Sequence, residues 1–319
     1  MDDNGANGFP LFHTTHLFMN IQANGIHIEV EDSHPTPNNR PVVLLIMGLG
    51  MQLIAWPVPL VQALIDAGYR VIRYDNRDSG LSQHFDEHGM PNLPWATLQH
   101  KLGFTPSAPY SVQDMANDAL GVLDALHVRR AHIVGVSMGG MIAQRVALTA
   151  PERVLSLTSV MSSSGARGLP DPETKAIKAM MSRPASQSPQ DLTEHYLQFM
   201  AAIGSPEFAT PESMLRDSAM ASVLRSFRPV GTMRQTLAVM ADSRRADELP
   251  SIQCPTLVVH GIDDPLVPIA CGEDTAKRIP GAQFYAIPGM GHDLPSGVVT
   301  QLLTRLLPHL QAATPAATA

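Results

Sequence analysis

The chain has 319 residues, a formal net charge of −7 and a sequence pI near 6.0. Hydrophobic residues make up 44% and charged residues 16% of it, a balance typical of a compact globular protein and not of a disordered or fibrous one. Because the charge is acidic, we do not expect a surface that binds nucleic acid or an anionic membrane. The length fits one large α/β domain with an insertion, or two ordinary domains.

Cysteine usage and the first residues favour a cytoplasmic protein. Cys254 and Cys271 are too few for a disulfide framework, and we expect two reduced thiols, with a single bridge as the alternative. Residues 1–10 lack the basic start and apolar run of a secretory signal. The uncharged stretch 41–65 is long enough to span a bilayer. Glycine and proline interrupt it, so a strand, a loop and a helix explain it better than a membrane span.

Two kinds of strand are predicted. From 18 to 30 the chain indicates two short strands joined by Asn24-Gly25, a dipeptide typical of a tight hairpin. Later apolar runs lack strict alternation, which predicts strands buried on both faces. These runs are 42–47, 71–74, 132–135, 155–161, 257–260 and 284–287.

Helical patterns alternate with these strands at about 57–67, 112–126, 138–148, 269–278 and 297–310. The alternation predicts an α/β fold with a mostly parallel, doubly wound sheet of eight strands. Between 162 and 249, helical segments follow one another without a strand. We therefore expect a core formed by 16–161 and 250–312, a helical cap at 162–249, flexible termini at 1–15 and 313–319, and fraying from residue 311 onward.

Methionine is frequent in the predicted cap, which holds seven of the 17 methionines. A surface rich in methionine adapts to bulky apolar ligands. The simpler interpretation is that these positions form the core of a small helical layer. The seven are Met180, Met181, Met200, Met214, Met220, Met233 and Met240.

The strongest motif is Gly135-Val136-Ser137-Met138-Gly139, which fits G-x-S-x-G where an apolar strand meets a helical pattern. Such a turn exposes a serine hydroxyl above the sheet edge, so Ser137 is the predicted nucleophile. A phosphate-binding loop is the competing interpretation. It fails because Ser137 replaces the second glycine of G-x-G-x-x-G, and we expect no nucleotide or other cofactor and no metal.

A serine hydroxyl needs a base, and the base needs an acid to orient it. Asp263 and Asp264 follow the run 257–260, and we prefer Asp264 because Pro265 fixes the backbone after it. Asp263 then caps the turn, a frequent role of aspartate. His260 is expected to be a structural residue at the end of its strand.

His292 is the predicted base. It follows the last predicted strand in a glycine-rich loop, at the carboxyl end of the sheet where α/β folds bind ligands. His309, inside the last predicted helix, is expected to be structural. Acyl transfer also needs N–H donors for an oxyanion. Met138 and Leu49 are the predicted donors, although the glycines beside Leu49 are also explained by a tight turn alone.

The order Ser137, Asp264, His292 is that of α/β-hydrolases, and the chain resembles this superfamily over about residues 16–310. The segments 46–52 (IMGLGMQ) and 74–82 (YDNRDSGLS) are similar to the esterase group that includes aclacinomycin methylesterase and the cofactor-free haloperoxidases. The resemblance implies a cap over the sheet and hydrolysis of carboxylic esters without metal or cofactor. Asp75 and Arg77 are structural by the same resemblance. Many members have a histidine where this chain has Met47.

The predicted function is that of a serine esterase acting on a small-molecule ester through an acyl-enzyme. A serine at the nucleophile position argues against the dehalogenases and epoxide hydrolases of this superfamily, which use a carboxylate. The same three residues also support cleavage of an enol-lactone, of a C–C bond beside a ketone, or peracid formation. A ligand-binding module with slow turnover is an alternative of a different class. The natural ester and the oligomeric state stay open.

Overall fold

The computed structural model describes residues 17–36 and 39–314. Its strands are β1 (Leu17–Ala23), β2 (Ile26–Asp32), β3 (Val42–Ile46), β4 (Arg70–Tyr74), β5 (Ala131–Val136), β6 (Val154–Val160), β7 (Thr256–Gly261) and β8 (Gln283–Ile287). They form one sheet in the order β1-β2-β4-β3-β5-β6-β7-β8. The β1–β2 and β2–β4 pairs are antiparallel and the other pairs are parallel. The predicted mostly parallel sheet of eight strands is confirmed.

The helices are α1 (Val58–Asp66), α2 (Leu93–Lys101), α3 (Val112–Ala125), α4 (Met138–Thr149), α5 (Thr174–Met181), α6 (Pro189–Ile203), α7 (Glu212–Arg225), α8 (Pro229–Ala241), α9 (Arg245–Glu248), α10 (Ile269–Arg278) and α11 (Ser296–Ala313). α1 and α11 cover one face of the sheet and α3 and α4 cover the other. The sheet is therefore doubly wound, as the alternation of strands and helices predicts.

Strand β3 illustrates why the sequences of the central strands are continuous apolar runs. All five of its residues are buried. Leu44 and Ile46 belong to the apolar cluster with α3 and α4, while Val43 and Leu45 belong to the cluster with α1 and α11. Successive side chains of a strand point to opposite faces, so a strand between two helical layers needs an apolar residue at every position.

The edge of the sheet follows the predicted hairpin. Asn24 and Gly25 both have positive φ, 50° and 77°, as a two-residue turn of this kind requires. Two helices were not predicted, α2 and the single turn α9. α2 buries only Ala96, so it lacks the apolar stripe by which helices are recognised in a sequence.

Five helices, α5 to α9, lie between β6 and β7, within the segment 162–249 that we propose as a cap. Methionine does not form its core, because none of the seven side chains is fully buried. Met180, Met181 and Met214 are 47%, 77% and 59% exposed. The expectation of core positions is wrong for these three, since α5 buries only Ala176 and α7 only Ala219.

The C-terminal segment is more ordered than the small residues there suggest. α11 continues to Ala313, and Thr314 Oγ1 lies 3.1 Å from His132 Nε2. Residues 311–313 are therefore helical where we expected a frayed tail, and Leu306 and Leu310 are buried in the preceding turns. Flexibility from residue 313 onward stays a prediction. The expected flexible residues 1–15 and 315–319 lie outside the described residues.

Two further expectations were that the cysteines are reduced and that the stretch 41–65 does not span a membrane. Cys254 and Cys271 are both free thiols. No helix within residues 17–36 and 39–314 is long and apolar enough to cross a membrane. The uncharged stretch 41–65 forms β3, the loop after it and most of α1.

Candidate active site

The nucleophile candidate Ser137 lies at the junction of β5 and α4, with φ 54° and ψ −122°. A residue other than glycine held at positive φ costs about 1–3 kcal/mol and persists only where its surroundings enforce it. Here the end of β6 and the residues after it do so: Ser137 N–H donates to Val160 O at 2.9 Å, and Ser162 Oγ donates to Ser137 O at 2.7 Å. The strained turn leaves the Ser137 side chain partly accessible at the carboxyl edge of the sheet.

The glycines around Ser137 are required by close backbone contacts. A Cβ atom at Gly135 would lie 2.0 Å from Gly139 O, and one at Gly139 would lie 2.0 Å from Ile46 O. Neither contact is possible for a side chain, because both opposing atoms belong to the backbone. The tight strand-to-helix turn therefore explains the G-x-S-x-G pattern in physical terms.

The structure brings His292 to Ser137, with His292 Nε2 3.0 Å from Ser137 Oγ. His292 Nδ1 lies 2.7 Å from Asp264 Oδ2. An ionised carboxylate only accepts hydrogen bonds, so Nδ1 carries the proton and Nε2 is left to accept from the Ser137 hydroxyl. His292 and Asp264 are 8% and 4% exposed, which shields this pair of hydrogen bonds from water.

Of the two aspartates after β7, Asp264 is the one that faces His292. Its other oxygen, Oδ1, accepts from Leu266 N–H at 2.9 Å and from Val267 N–H at 2.8 Å. These two bonds fix the carboxylate. Asp263 Oδ2 instead accepts from Gly289 N–H at 2.9 Å, which is the turn-capping role predicted for it.

A second imidazole, that of His260, packs beside Asp264. Its Nε2 lies 3.6 Å from Asp264 Oδ2 but only 2.7 Å from Val267 O, to which it donates. Burial lowers the pKa of His260, which favours the neutral ring. A neutral His260 donates its Nε2 proton to the backbone, so the Asp264 carboxylate pairs with His292. His309 is likewise buried, with Nε2 3.2 Å from Leu157 O.

The two predicted oxyanion donors flank the nucleophile. A Cβ atom at Gly48 would lie 3.2 Å from Ser137 Cβ, so the loop carrying Leu49 passes directly beside the serine. Met138 is the first residue of α4, and the first N–H groups of a helix have no acceptor within it. Within the described ranges, neither Leu49 N–H nor Met138 N–H has a hydrogen-bond acceptor.

The loop after β3 is held by polar side chains that the sequence did not single out. Asn76 Nδ2 donates to Met47 O at 2.9 Å. Gln235, in α8 and fully buried, accepts from Gly50 N–H at 2.8 Å. Its Nε2 donates to Arg77 O at 2.7 Å and to Ser79 Oγ at 3.0 Å. A lone glutamine in a helix gives no signal in the sequence, because its partners come from distant segments.

Asp75 and Arg77 bond to other parts of the chain, in agreement with the structural role implied for them. Asp75 Oδ2 accepts from Leu81 N–H at 2.9 Å and from Arg225 Nη1 at 2.7 Å. Burial raises the pKa of Asp75 and the Arg225 guanidinium opposes that rise. Arg77 Nε donates to Asp118 Oδ2 at 2.6 Å. In the part of the chain that the structure describes, no cluster of His, Cys, Asp and Glu has the geometry of a metal site.

Comparison with known proteins places this geometry in a family. Residues 41–295 match the alpha/beta hydrolase fold family. The chain is 33% identical over 301 residues to the rhodomycin D methylesterase of Streptomyces sp. (strain C5), which covers 87% of this chain and 93% of that protein. It is 32% identical over 300 residues to the enzyme of the same name from Streptomyces peucetius, with 87% and 93% covered. These relatives confirm the predicted resemblance to a methylesterase group.

Solved structures agree with the fold. The enol-lactonase from Burkholderia xenovorans LB400 superimposes with a TM-score of 0.69 at 20% identity, covering 92% of this chain and 100% of that one. At this identity the likeness concerns the fold alone. With a family match over most of its length and relatives above 30% identity, the chain belongs to the alpha/beta hydrolase fold family.

Proposed function

We propose that this protein is a serine hydrolase that cleaves carboxylic esters through an acyl-enzyme, with Ser137 as nucleophile, His292 as base and Asp264 as the acid that orients it. The observation that carries the proposal is the pair of hydrogen bonds in series, 3.0 Å from Ser137 Oγ to His292 Nε2 and 2.7 Å from His292 Nδ1 to Asp264 Oδ2. This arrangement meets the requirement of an activated hydroxyl whose base is held in one tautomer.

In the first half of the reaction, Ser137 Oγ attacks the ester carbonyl while its proton passes to His292 Nε2. The imidazolium is stabilised by the Asp264 carboxylate, and it then gives the proton to the departing alcohol. The ester carbon is left bonded to Ser137 Oγ. In the second half, His292 takes a proton from water, the hydroxide attacks the acyl carbon, and Ser137 recovers its proton as the acid leaves.

Each half of the reaction passes through a tetrahedral oxyanion. We assign its stabilisation to the N–H groups of Met138 and Leu49, which flank Ser137 and have no acceptor within the described segments. Preorganised donors of this kind stabilise developing charge without reorganising. The start of α4 adds the positive end of a helix dipole at the same place.

The relatives support an ester as the substrate. Two proteins named rhodomycin D methylesterase are aligned with 87% of this chain, and a small-molecule ester is therefore the substrate class we propose. The net charge of −7 also argues against nucleic acid as a partner. A cytoplasmic location stays a prediction from the sequence.

The proposal is tested by ester hydrolysis. Purified protein is assayed with p-nitrophenyl esters of two to eight carbons and with simple methyl esters, beside the variant Ser137→Ala. We expect turnover by the unaltered protein and background rates for the variant. Equal turnover by the two proteins would refute the assignment, and circular dichroism spectra that superimpose would exclude misfolding as the reason for a loss.

A further inference from the structure

The loop that carries His292 is bound to the segment that follows α6. His292 N–H donates to Ile203 O at 2.7 Å. The preceding residue, Gly291, donates its N–H to Ser205 Oγ at 2.9 Å. The following residue, Asp293, accepts at Oδ1 from Ser205 N–H at 2.9 Å and from the Ser205 hydroxyl. Three consecutive residues of the base loop are thus bonded to residues 203–205.

Ser205 is the centre of this contact, and its hydroxyl both donates and accepts a hydrogen bond there. The hydroxyl gives its only proton to Asp293 and uses a lone pair for Gly291 N–H. Ser205 is 7% exposed, so water does not replace either partner freely. The two bonds therefore tie Gly291 and Asp293, the neighbours of His292 in the chain, to one serine.

The two segments approach too closely for side chains between them. A Cβ atom at Gly291 would lie 2.5 Å from both Gly204 O and Ile203 O. One at Gly289 would lie 2.5 Å from Glu207 Cβ. The contact at Gly291 is with backbone atoms and the contact at Gly289 is with the Glu207 side chain. Packing this close leaves the base loop little freedom as long as residues 203–207 stay in place.

We propose that Ser205 and Asp293 are positioning residues for ester hydrolysis: a serine from the proposed cap and an aspartate beside the base hold His292 in reach of both Ser137 and Asp264. This inference rests on the proposed function. Neither residue touches the reacting atoms. Their effect passes through the backbone on either side of His292 and through the charge of Asp293.

The charge of Asp293 acts on the base directly. Burial raises the pKa of Asp293, while the hydrogen bonds from Ser205 and the proximity of His292 lower it, and the like charge of Asp264 raises it. Burial and the Asp293 charge together raise the pKa of Tyr196 to about 12, so this neighbour is neutral. In its ionised form, Asp293 adds a second negative charge near the imidazolium that forms in each half of the reaction.

Two variants separate position from charge. Ser205→Ala removes both hydroxyl bonds, whereas Asp293→Asn keeps an oxygen acceptor for Ser205 and removes the charge. The matched control is Ser156→Ala. Ser156 is also fully buried, and its hydroxyl bonds to a single partner, His132 Nδ1 at 2.8 Å, near the amino end of β6. The variants are assayed with a p-nitrophenyl ester across pH, and folding is measured by thermal unfolding.

We expect Ser205→Ala to lower kcat about 10- to 100-fold, because a small displacement of a catalytic group has effects of this size. KM is expected to stay close to the wild-type value. Asp293→Asn is expected to move the acidic limb of the kcat/KM profile to lower pH, since the imidazolium loses a stabilising charge. A purely structural role changes the melting temperature but not that limb. Ser156→Ala is expected to lower stability and leave kcat unchanged.

The inference is overturned if folded Ser205→Ala and Asp293→Asn retain the kcat and the pH profile of the wild type while Ser137→Ala is inactive. That result would leave the proposed function intact. Active Ser137→Ala, or an inactive wild type, would instead refute the proposed function itself. If Ser205→Ala does not fold, the pH profile of Asp293→Asn decides alone, because that variant keeps the hydrogen-bond geometry.

Discussion

The proposed nucleophile and the proposed base are held at the same edge of the sheet by different contacts. Ser137 is held by the end of β6, through Val160 O, and by Ser162, which follows that strand. The His292 loop is held by residues 203–205, which lie in the helical segment between β6 and β7. The loop with Leu49 resembles the His292 loop in this respect, because Gln235 of α8 accepts from Gly50 N–H.

The difference indicates that the inserted helices help to hold loops of the candidate site. They make hydrogen bonds to two loops of the candidate site, the loop that carries His292 and the loop that carries Leu49. The turn at Ser137 is fixed chiefly by close contacts within the sheet, and the Asp264 carboxylate is fixed by the loop that follows β7. Changes at Ser137, Asp264 or His292 are therefore expected to abolish the chemistry, and changes in the inserted helices are expected to reduce it by degrees.

The largest effect is expected from the base itself. His292→Ala removes the only group in hydrogen-bond contact with the Ser137 hydroxyl among the described residues. In serine hydrolases, loss of the base costs about as much as loss of the nucleophile, roughly 10⁶-fold in kcat. Single-turnover kinetics with a p-nitrophenyl ester measure this loss. A decrease of only a few fold would mean that another group takes the proton.

The acid is expected to come next, and the two adjacent aspartates provide the contrast. Asp264→Asn is expected to lower kcat about 10⁴-fold, because an amide at this position no longer fixes the required tautomer. Asp263→Asn keeps an acceptor for Gly289 N–H and is expected to stay within about 10-fold of the wild type, since a turn contact does not enter the chemistry. Steady-state kinetics at pH 8 compare the two. A larger loss at Asp263 would reverse the assignment.

An intermediate effect is expected at Gln235, where α8 supports the oxyanion loop. Gln235→Met leaves Gly50 N–H without its acceptor and frees the loop that presents Leu49. Removal of an oxyanion donor costs about 10²–10³-fold in kcat, and a displaced donor should cost less than this.

Gln144→Met is the matched control, because Gln144 is also fully buried and donates to Ser159 Oγ and Ser163 O. Both variants are expected to lose about 1–3 kcal/mol of unfolding free energy through unsatisfied buried groups, measured with urea. Only Gln235→Met is expected to lose kcat. Equal kcat in the two variants would remove the proposed support of the oxyanion loop.

The smallest effect on turnover is expected at His132, near the amino end of β5. There we expect a pH effect on stability and no effect on catalysis. Burial lowers the pKa of His132 from 6.5 to about 4. Since the folded protein binds this proton less readily than the unfolded chain, the stability contribution is present above pH 6.5 and is lost as the pH falls toward 4.

His132→Asn is expected to flatten the pH dependence of unfolding free energy between these limits by about 3 kcal/mol. Its kcat at pH 8 is expected to equal that of the wild type. Urea unfolding at several pH values measures the slope. An unchanged slope would show that the folded protein and the unfolded chain bind a proton at His132 equally well.

The same contrast between the sheet and the inserted helices explains which features the sequence predicted. The Ser137 turn was predictable because its glycines are required by contacts within a few residues and with one neighbouring strand. Asp264 and His292 were predictable because each follows a strand in a turn rich in glycine or proline. The parallel order of strands followed from apolar runs such as that of β3.

Contacts made by the inserted helices were not predictable in this way. Gly50 and Gln235 are 185 residues apart, and Ser205 and Gly291 are 86 apart. A serine or glutamine at such a distance has no local pattern that marks its partner. Helix α2 was missed for a related reason, since its exposed Trp95 and Leu98 do not form a stripe facing the core.

The most direct test of the central claim is detection of an acyl group on Ser137. The protein is mixed with an ester of a slowly released acid, quenched in acid and digested, and the peptide that contains residue 137 is examined by mass spectrometry. We predict the acyl mass on Ser137 in the wild type, at higher occupancy when deacylation is slowed, and no such mass in Ser137→Ala. Ester turnover with the acyl group on another residue, or with none formed under these conditions, would contradict the account.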